Sequence, residues 1–392
     1  MTPPQGAPTH ADLRRDRRLQ SADGQLRTEW LTSADRPQLD SWDEFLMNSP
    51  RGHYCQLSTW LRSFQPYGFR FSVLTARATA SGAIVGGIAV LEIGNALASL
   101  MSVPVGPIVE VGHESVAGLL LAETLHRARE SGAFLLQLQL PCSNEVRLPA
   151  LIERLDVSNR AASQPGLPFA TGTAPNQMLW IAFPENLSTD AWEEELLRRF
   201  SGMTRRNIRL SQQQGLDVRE VTKEAELRQA YTIIEMNGVR QGYATRGWRE
   251  FGPTVLEQVA SRQAVMLVVR HNDQAVGAHY GVLAGRRYSY LMGGTTRDAG
   301  NLKIGHCAHW SAMRKAKDLD LLGYDLTSGG STGVMRFKMG FRPQHIPFIS
   351  PRHYVLSRWR FEVFRNIYPL LRRHKRLVSR VLSISRRLIP RA

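Results

Sequence analysis

The chain has 392 residues, 43% of them hydrophobic and 21% charged, with a formal net charge of +16. That length allows two medium domains, each with its own core, and it excludes a bilayer-spanning helix: the longest apolar stretch, 82–111, is interrupted by Glu92, Asn95, Pro104 and Pro107. The first 30 residues lack the apolar centre of a signal peptide, and Cys55, Cys142 and Cys307 show no metal or redox spacing, so a reducing, cytoplasmic setting is the expectation.

Residues 1–28 are rich in Pro, Ala, Gln and charge without periodicity and read as a disordered arm. Over 40–64, Trp42, Phe45 and Leu46, then Leu57, Trp60, Leu61 and Phe64, recur at helical spacing and predict two helices. Strands follow over 70–78, 84–93 and 97–103, a helix over 113–131, and a strand over 134–140 that Pro141 ends. The small and turn-forming residues of 158–176 mark a long connection, which divides the chain into a first domain, 29–165, and a second, 166–350. The second half reads as a strand over 177–183, a helix pair with Asp190 as N-cap ending near Gly215, and a strand over 216–221. Helices over 223–239 and 251–262, strands within 264–295 and a helix over 302–322 complete it. Meandering strands with flanking helices make an α+β fold, and the order of elements in the second half resembles that in the first without a residue-level repeat.

The positive charge is concentrated at one end. Residues 352–392 hold twelve basic residues against one acid, Glu362, a net +11 of the chain's +16. This segment, 351–392, is predicted to be a helical tail, with Pro369 at a break or a first turn. Trp359, Val363, Ile367, Leu370, Leu371, Val378, Val381 and Leu382 form one apolar stripe, and arginines fill the other face. Such a helix suits the surface of an anionic membrane or an RNA backbone; packing on the body with solvated arginines is the alternative.

The stretch most suggestive of chemistry is 323–341, GYDLTSGGSTGVMRFKMGF. It reads as a short strand from Tyr324 to Leu326 running into a loop of Ser328, Gly329, Gly330, Ser331, Thr332 and Gly333 that can wrap closely around a ligand. Asp325 precedes the loop; Phe337 and Lys338 follow it. Only six of the 50 basic residues are lysines, so Lys338 supplies a compact, mobile charge where arginine is the chain's default.

Taken with Gly340 and Phe341, this run resembles the active-site segment of the FemAB family of aminoacyltransferases and acyltransferases, built on tandem GNAT-like (acyl-CoA N-acyltransferase-like) domains and including lipid II and UDP-muramoyl-peptide aminoacyltransferases. The resemblance extends from Trp42 to Phe348 through Gln56 and Trp60, Gly106-Pro107, the basic helix end at 204–209, Arg240 with Gly242, and Tyr290 before Gly293-Gly294. It implies an amide-forming reaction in which an amine attacks an acyl group activated on aminoacyl-tRNA or coenzyme A. It also implies that Lys338 stabilises the developing negative charge, in the company of Phe337 and Asp325, that Arg240 and Tyr290 hold the acceptor, and that Arg205 and Arg206 assist. Two departures bear on the acceptor: Leu140 stands before Pro141 where members extending peptidoglycan precursors carry an acid, and Phe64 stands near the place of a family lysine. The segment 297–302 matches the coenzyme A loop at Arg297 and Gly300 but ends in the bulkier Leu302. His279 is a candidate base, with a structural role as the alternative.

These features imply a cytoplasmic transferase, peripheral on the inner membrane face, that takes acyl-CoA or aminoacyl-tRNA as co-substrate, modifies an amine acceptor of the cell envelope, sugar- or lipid-linked, and uses no metal. The alternatives are a coenzyme A-dependent N-acyltransferase acting on a polysaccharide, lipid or amino acid, and a non-catalytic RNA- or membrane-binding protein on a degenerate transferase fold.

Overall fold

The computed structural model describes residues 25–94, 99–141, 175–243, 245–296, 301–349 and 351–373, with the side chains of the final helix as far as Ile367. Most of the expected arm, most of the 158–176 connection, Cys142, Arg297, Gly300 and the tail from 374 lie outside the described residues.

The first unit runs β1 (Leu26–Thr32), α1 (Arg36–Asn48), α2 (Ser58–Arg62), β2 (Arg70–Ala78), β3 (Ile84–Gly94), β4 (Ser99–Val103), β5 (Ile108–Val109), α3 (Val116–Glu130) and β6 (Leu135–Leu138). The second runs β7 (Gln177–Ala182), α4 (Thr189–Arg199), α5 (Gly202–Gln212), β8 (Asp217–Glu220), α6 (Glu224–Gln241), α7 (Trp248–Ala260), β9 (Ala264–His271), β10 (Gln274–Ala284), β11 (Arg287–Thr295), α8 (Ile304–Asp318), β12 (Gly323–Asp325), α9 (Thr332–Met339) and β13 (Gln344–Pro347). The chain then returns to the first unit with β14 (Arg352–Val355) and α10 (Arg358–Arg373).

Each unit is built on one sheet. The first has the order β1-β2-β3-β4-β6-β14, with β5 beside β3; the second has β13-β7-β12-β11-β10-β9-β8. Both sheets are antiparallel except at one place, where β4 meets β6 and β11 meets β12 in parallel. A parallel neighbour requires a crossover, supplied by α3 in the first unit and α8 in the second. The similar element order of the two halves is thus a similarity of topology.

Several expectations need correction. Leu26 to Thr28, at the end of the expected arm, belong to β1, which pairs along β2. The expected helical tail opens as a strand, because Arg352–Val355 completes the edge of the first sheet against β6. Helix α8 is shorter than its apolar pattern suggests, Ile304–Asp318, and α4 is capped by Ser188, whose side chain accepts from the Ala191 N–H, with Asp190 inside the first turn. Phe337 and Lys338 stand on a helix, α9, started by Ser331 accepting from the Val334 N–H.

The units share a core. Trp42, Leu61 and Phe71 from the first pack in one cluster with Tyr231, Phe251 and Tyr280 from the second. A buried polar chain crosses the same interface: Asp43 accepts from the Ser58 N–H at 2.7 Å and from Gln263 Nε2 at 3.0 Å. Thr59 donates to Gln263 Oε1 at 2.5 Å and accepts from Gln258 Nε2 at 3.0 Å. Burial lifts the Asp43 carboxyl to about 6 although these donors favour its charge. Asp43→Ala strands the Ser58 and Gln263 donors, so a stability loss of about 3 kcal/mol is expected. It should read as a lower urea midpoint with an unchanged slope.

Candidate active site

Strands β11 and β12 run together for three residues, Arg287 with Gly323, Tyr288 with Tyr324 and Ser289 with Asp325. They then part: β12 ends, while β11 continues to Thr295 beside β10. The fork between them is spanned by Thr327, whose backbone is left-handed at φ 53°. Its N–H donates to Asp325 Oδ1 at 2.8 Å, its hydroxyl to the Tyr290 carbonyl at 2.8 Å, and its own carbonyl accepts from Lys338 Nζ at 2.9 Å. One residue therefore fixes the relation of both strands to the lysine.

The loop beyond Thr327 turns through Gly329 and Gly330 at φ 108° and 118°, a region that side chains with a Cβ rarely adopt. This turn presents the Gly329 carbonyl to Lys338 Nζ at 3.1 Å. Lys338 is only 4% exposed, and desolvation lowers its ammonium to about 8 while Asp325 opposes the shift. It remains mostly protonated at neutral pH. Two of its three protons are committed to carbonyls, leaving one for a ligand, and Nζ lies 5.5 Å from the centre of the Tyr290 ring.

Asp325, 2% exposed, works on the backbone: besides the Thr327 N–H, Oδ1 accepts from the Leu179 N–H of β7 at 3.0 Å. Burial raises its carboxyl to about 6, against those two hydrogen bonds and the Arg287 and Lys338 charges. Phe337 is half-buried and packs on His306, His309 and Phe341.

Arg240 reaches this region through one intermediary. It donates to Asn237 Oδ1 at 2.6 Å, and Asn237 Nδ2 donates to the Gly293 carbonyl on β11 at 3.3 Å. Arg205 and Arg206 lie on α5, whose start is tied to the end of α9 by the Ser201 N–H donating to the Gly340 carbonyl at 2.9 Å. Thr204 packs so closely there that Gly340 has no room for a Cβ. Arg297 and Gly300 precede α8 outside the described residues; the first turn of α8 itself places His306 against Phe337, ring centres 4.8 Å apart.

His279 is fully occupied. Its Nε2 lies 2.8 Å from the Tyr324 hydroxyl and its Nδ1 3.3 Å from the Tyr288 hydroxyl. The Tyr324 hydroxyl also meets His309 Nδ1 at 2.8 Å, making a buried chain His279–Tyr324–His309. Desolvation lowers His279 to about 3 and His309 well below its usual range, so both imidazoles are neutral. Both rings lie against Tyr290, His309 at 4.6 Å and His279 at 4.8 Å between ring centres, and His309 also packs on Phe337 at 5.3 Å. By spacing, His306 and His309 share a helix face, but without a carboxylate or cysteine partner the pattern indicates no metal site; nothing in the sequence announces a left-handed threonine at 327. Among the described residues no group of His, Cys, Asp or Glu could hold a metal ion.

Residues 198–339, which contain the fork, the loop and Lys338, match the family model described as an acetyltransferase (GNAT) domain. In shape the chain matches the crystal structure of FemX with a TM-score of 0.69 at 14% identity, covering 84% of this chain and 98% of that one. The chain has the FemX fold. A protein of unknown function from Bacteroides thetaiotaomicron VPI-5482 is also similar, at a TM-score of 0.50 and 12% identity over 83% of this chain and 97% of that one. No curated protein matches by sequence. The stretch that matches the GNAT model lies within the second unit of this FemX-like fold.

Proposed function

We propose that this chain forms an amide by moving an acyl or aminoacyl group from an activated donor to an amine in cell-envelope synthesis, with Lys338 as the electrostatic centre. The observation that carries this reading is the fork between β11 and β12, held open by Thr327 over a desolvated lysine with one proton to spare.

A donor carbonyl in the fork lies within reach of that proton. As the amine nitrogen attacks the carbonyl carbon, the π electrons move to oxygen and the Lys338 ammonium stabilises the oxyanion, a contribution typically worth about 3 kcal/mol in a dry site. Collapse of the intermediate re-forms the carbonyl and expels a thiolate or a ribose oxygen. The proton shed by the amine passes to the departing thiolate or ribose oxygen, directly or through a water, while the neutral His279–Tyr324–His309 chain packs beside the site. Asp325 positions the loop. Arg240, with Asn237, and the arginines of α5 supply positive charge for a phosphate on donor or acceptor, as does the N-terminus of α8. The basic tail holds the enzyme at an anionic membrane surface on the cytoplasmic side.

Calorimetry with an acyl-coenzyme A and, separately, an aminoacyl-tRNA tests the donor. Saturable binding of one, weakened at least tenfold by Gly293→Phe in the fork, supports the reading and assigns the donor. Binding of neither contradicts it.

A further inference from the structure

Helix α10 has its apolar residues spread wider than its packing uses. Phe361 is 3% exposed and joins Leu100, Phe134, Leu135 and Val355, with Phe364 packed against the same cluster and its ring centre 5.2 Å from Phe134. These contacts, with Arg360 donating to the Gly132 carbonyl at 3.0 Å, seat the helix on the first sheet. Trp359, Val363 and Ile367, spaced i, i+4, i+8, lie on another face and are 68%, 51% and 45% exposed. Residues four apart stack along one side of a helix, so the three form a continuous stripe in water. Arg358, Arg365 and Glu362 of the same helix are exposed, with Arg365 paired to Glu362, and the segment 352–392 brings a net +11.

We propose that this stripe is a membrane-inserting edge: α10 lies in the plane of an anionic bilayer, with Trp359, Val363 and Ile367 in the headgroup–acyl boundary, and the net positive charge of the 352–392 segment favours anionic lipid. Charge selects the occupant. A second copy of the chain would bring another cationic tail to the same face, whereas an anionic lipid surface complements it. Tryptophan is also the side chain that favours the membrane interface, where one end of the ring is apolar and the other wet. Because Phe361 and Phe364 anchor the same helix to the first sheet, insertion would fix the orientation of the whole body on the membrane. The inference deepens the reading of the chain as a surface-bound transferase, and it is separable from that reading because the stripe shares no residue with the fork.

The test is flotation of the full chain with vesicles of phosphatidylcholine alone and with one third phosphatidylglycerol, at about 0.1 M salt, where charge screening is moderate. The expected result is binding to the anionic vesicles alone, a loss of at least tenfold in partitioning for Trp359→Ser/Val363→Ser/Ile367→Ser, and no change for Lys338→Met. Donor binding by the stripe variant should equal that of the wild type, so failure of the transferase reading and failure of this one are distinguishable. Brominated lipid should quench the wild type more than Trp359→Phe, a second readout at the single residue. The proposal is overturned if the wild type does not float, if the triple variant floats as well as the wild type, or if the variant instead dissolves a solution dimer.

Discussion

Replacing Lys338 with Met is expected to reduce turnover about 100- to 1000-fold while leaving donor KM within a few-fold, because the ammonium acts chiefly on charge that develops after the donor is bound. Amide formation followed by mass spectrometry gives both constants. Methionine keeps the stem that packs beside Tyr290 and removes the donor that Thr327 and Gly329 hold. The pH dependence carries a sign. Desolvation holds the ammonium at about 8, so the active charge is present below that pH and is lost as pH rises through it. A wild-type alkaline limb near 8 is expected, well below the range of an ordinary lysine. Lys338→Arg should lack that limb, since guanidinium does not titrate there, and should still be slow, because a planar fork does not fit a cradle of two carbonyls.

Asp325 allows charge to be separated from shape. Asp325→Asn keeps an oxygen for the Leu179 and Thr327 N–H groups and removes the negative charge that supports the Lys338 ammonium. Its expected effect is an alkaline limb shifted below 8 in a protein of similar fold. Asp325→Ala removes both: two buried N–H groups lose their acceptor, a cost of about 3 kcal/mol, and Thr327 is no longer held across the fork. Turnover should fall at least tenfold more than in the Asn variant, together with a lower urea midpoint. Equal behaviour of the two variants would assign Asp325 to charge alone.

The contrast between Lys338 and Thr327 shows what a sequence can disclose about this site. Lysine is rare here, six of 50 basic residues, so Lys338 stands out against an arginine background, and the diglycine before it marks a loop of unusual dihedrals. Asp325 and Tyr290 join it in the structure because β11 and β12 are parallel neighbours, a pairing that the intervening α8 makes natural. Thr327 gives no signal because its importance lies in a backbone angle and in a bridge between its near neighbour Asp325, Lys338 eleven residues on and Tyr290 on another strand. Strands β13 and β14 were equally silent. Each is four residues long, and each exists because another strand offers an open edge, β7 for one and β6 for the other. Local pattern cannot report such a debt to long-range pairing. Helix α9 is short and begins beside glycine, so propensity alone does not reveal that Lys338 is held on a helix.

A desolvated Lys338 ammonium presenting a proton to the fork has a direct spectroscopic signature. With six lysines in the chain, the side-chain carbons adjacent to each ammonium can be resolved by NMR in protein labelled at lysine, and Lys338 is identified as the signal missing from Lys338→Met. One lysine titrating near 8, apart from the other five, and shifted on addition of the bound donor, is the expected result. Titration of Lys338 with the rest, unmoved by donor, would show that it is not a desolvated ammonium at the donor site.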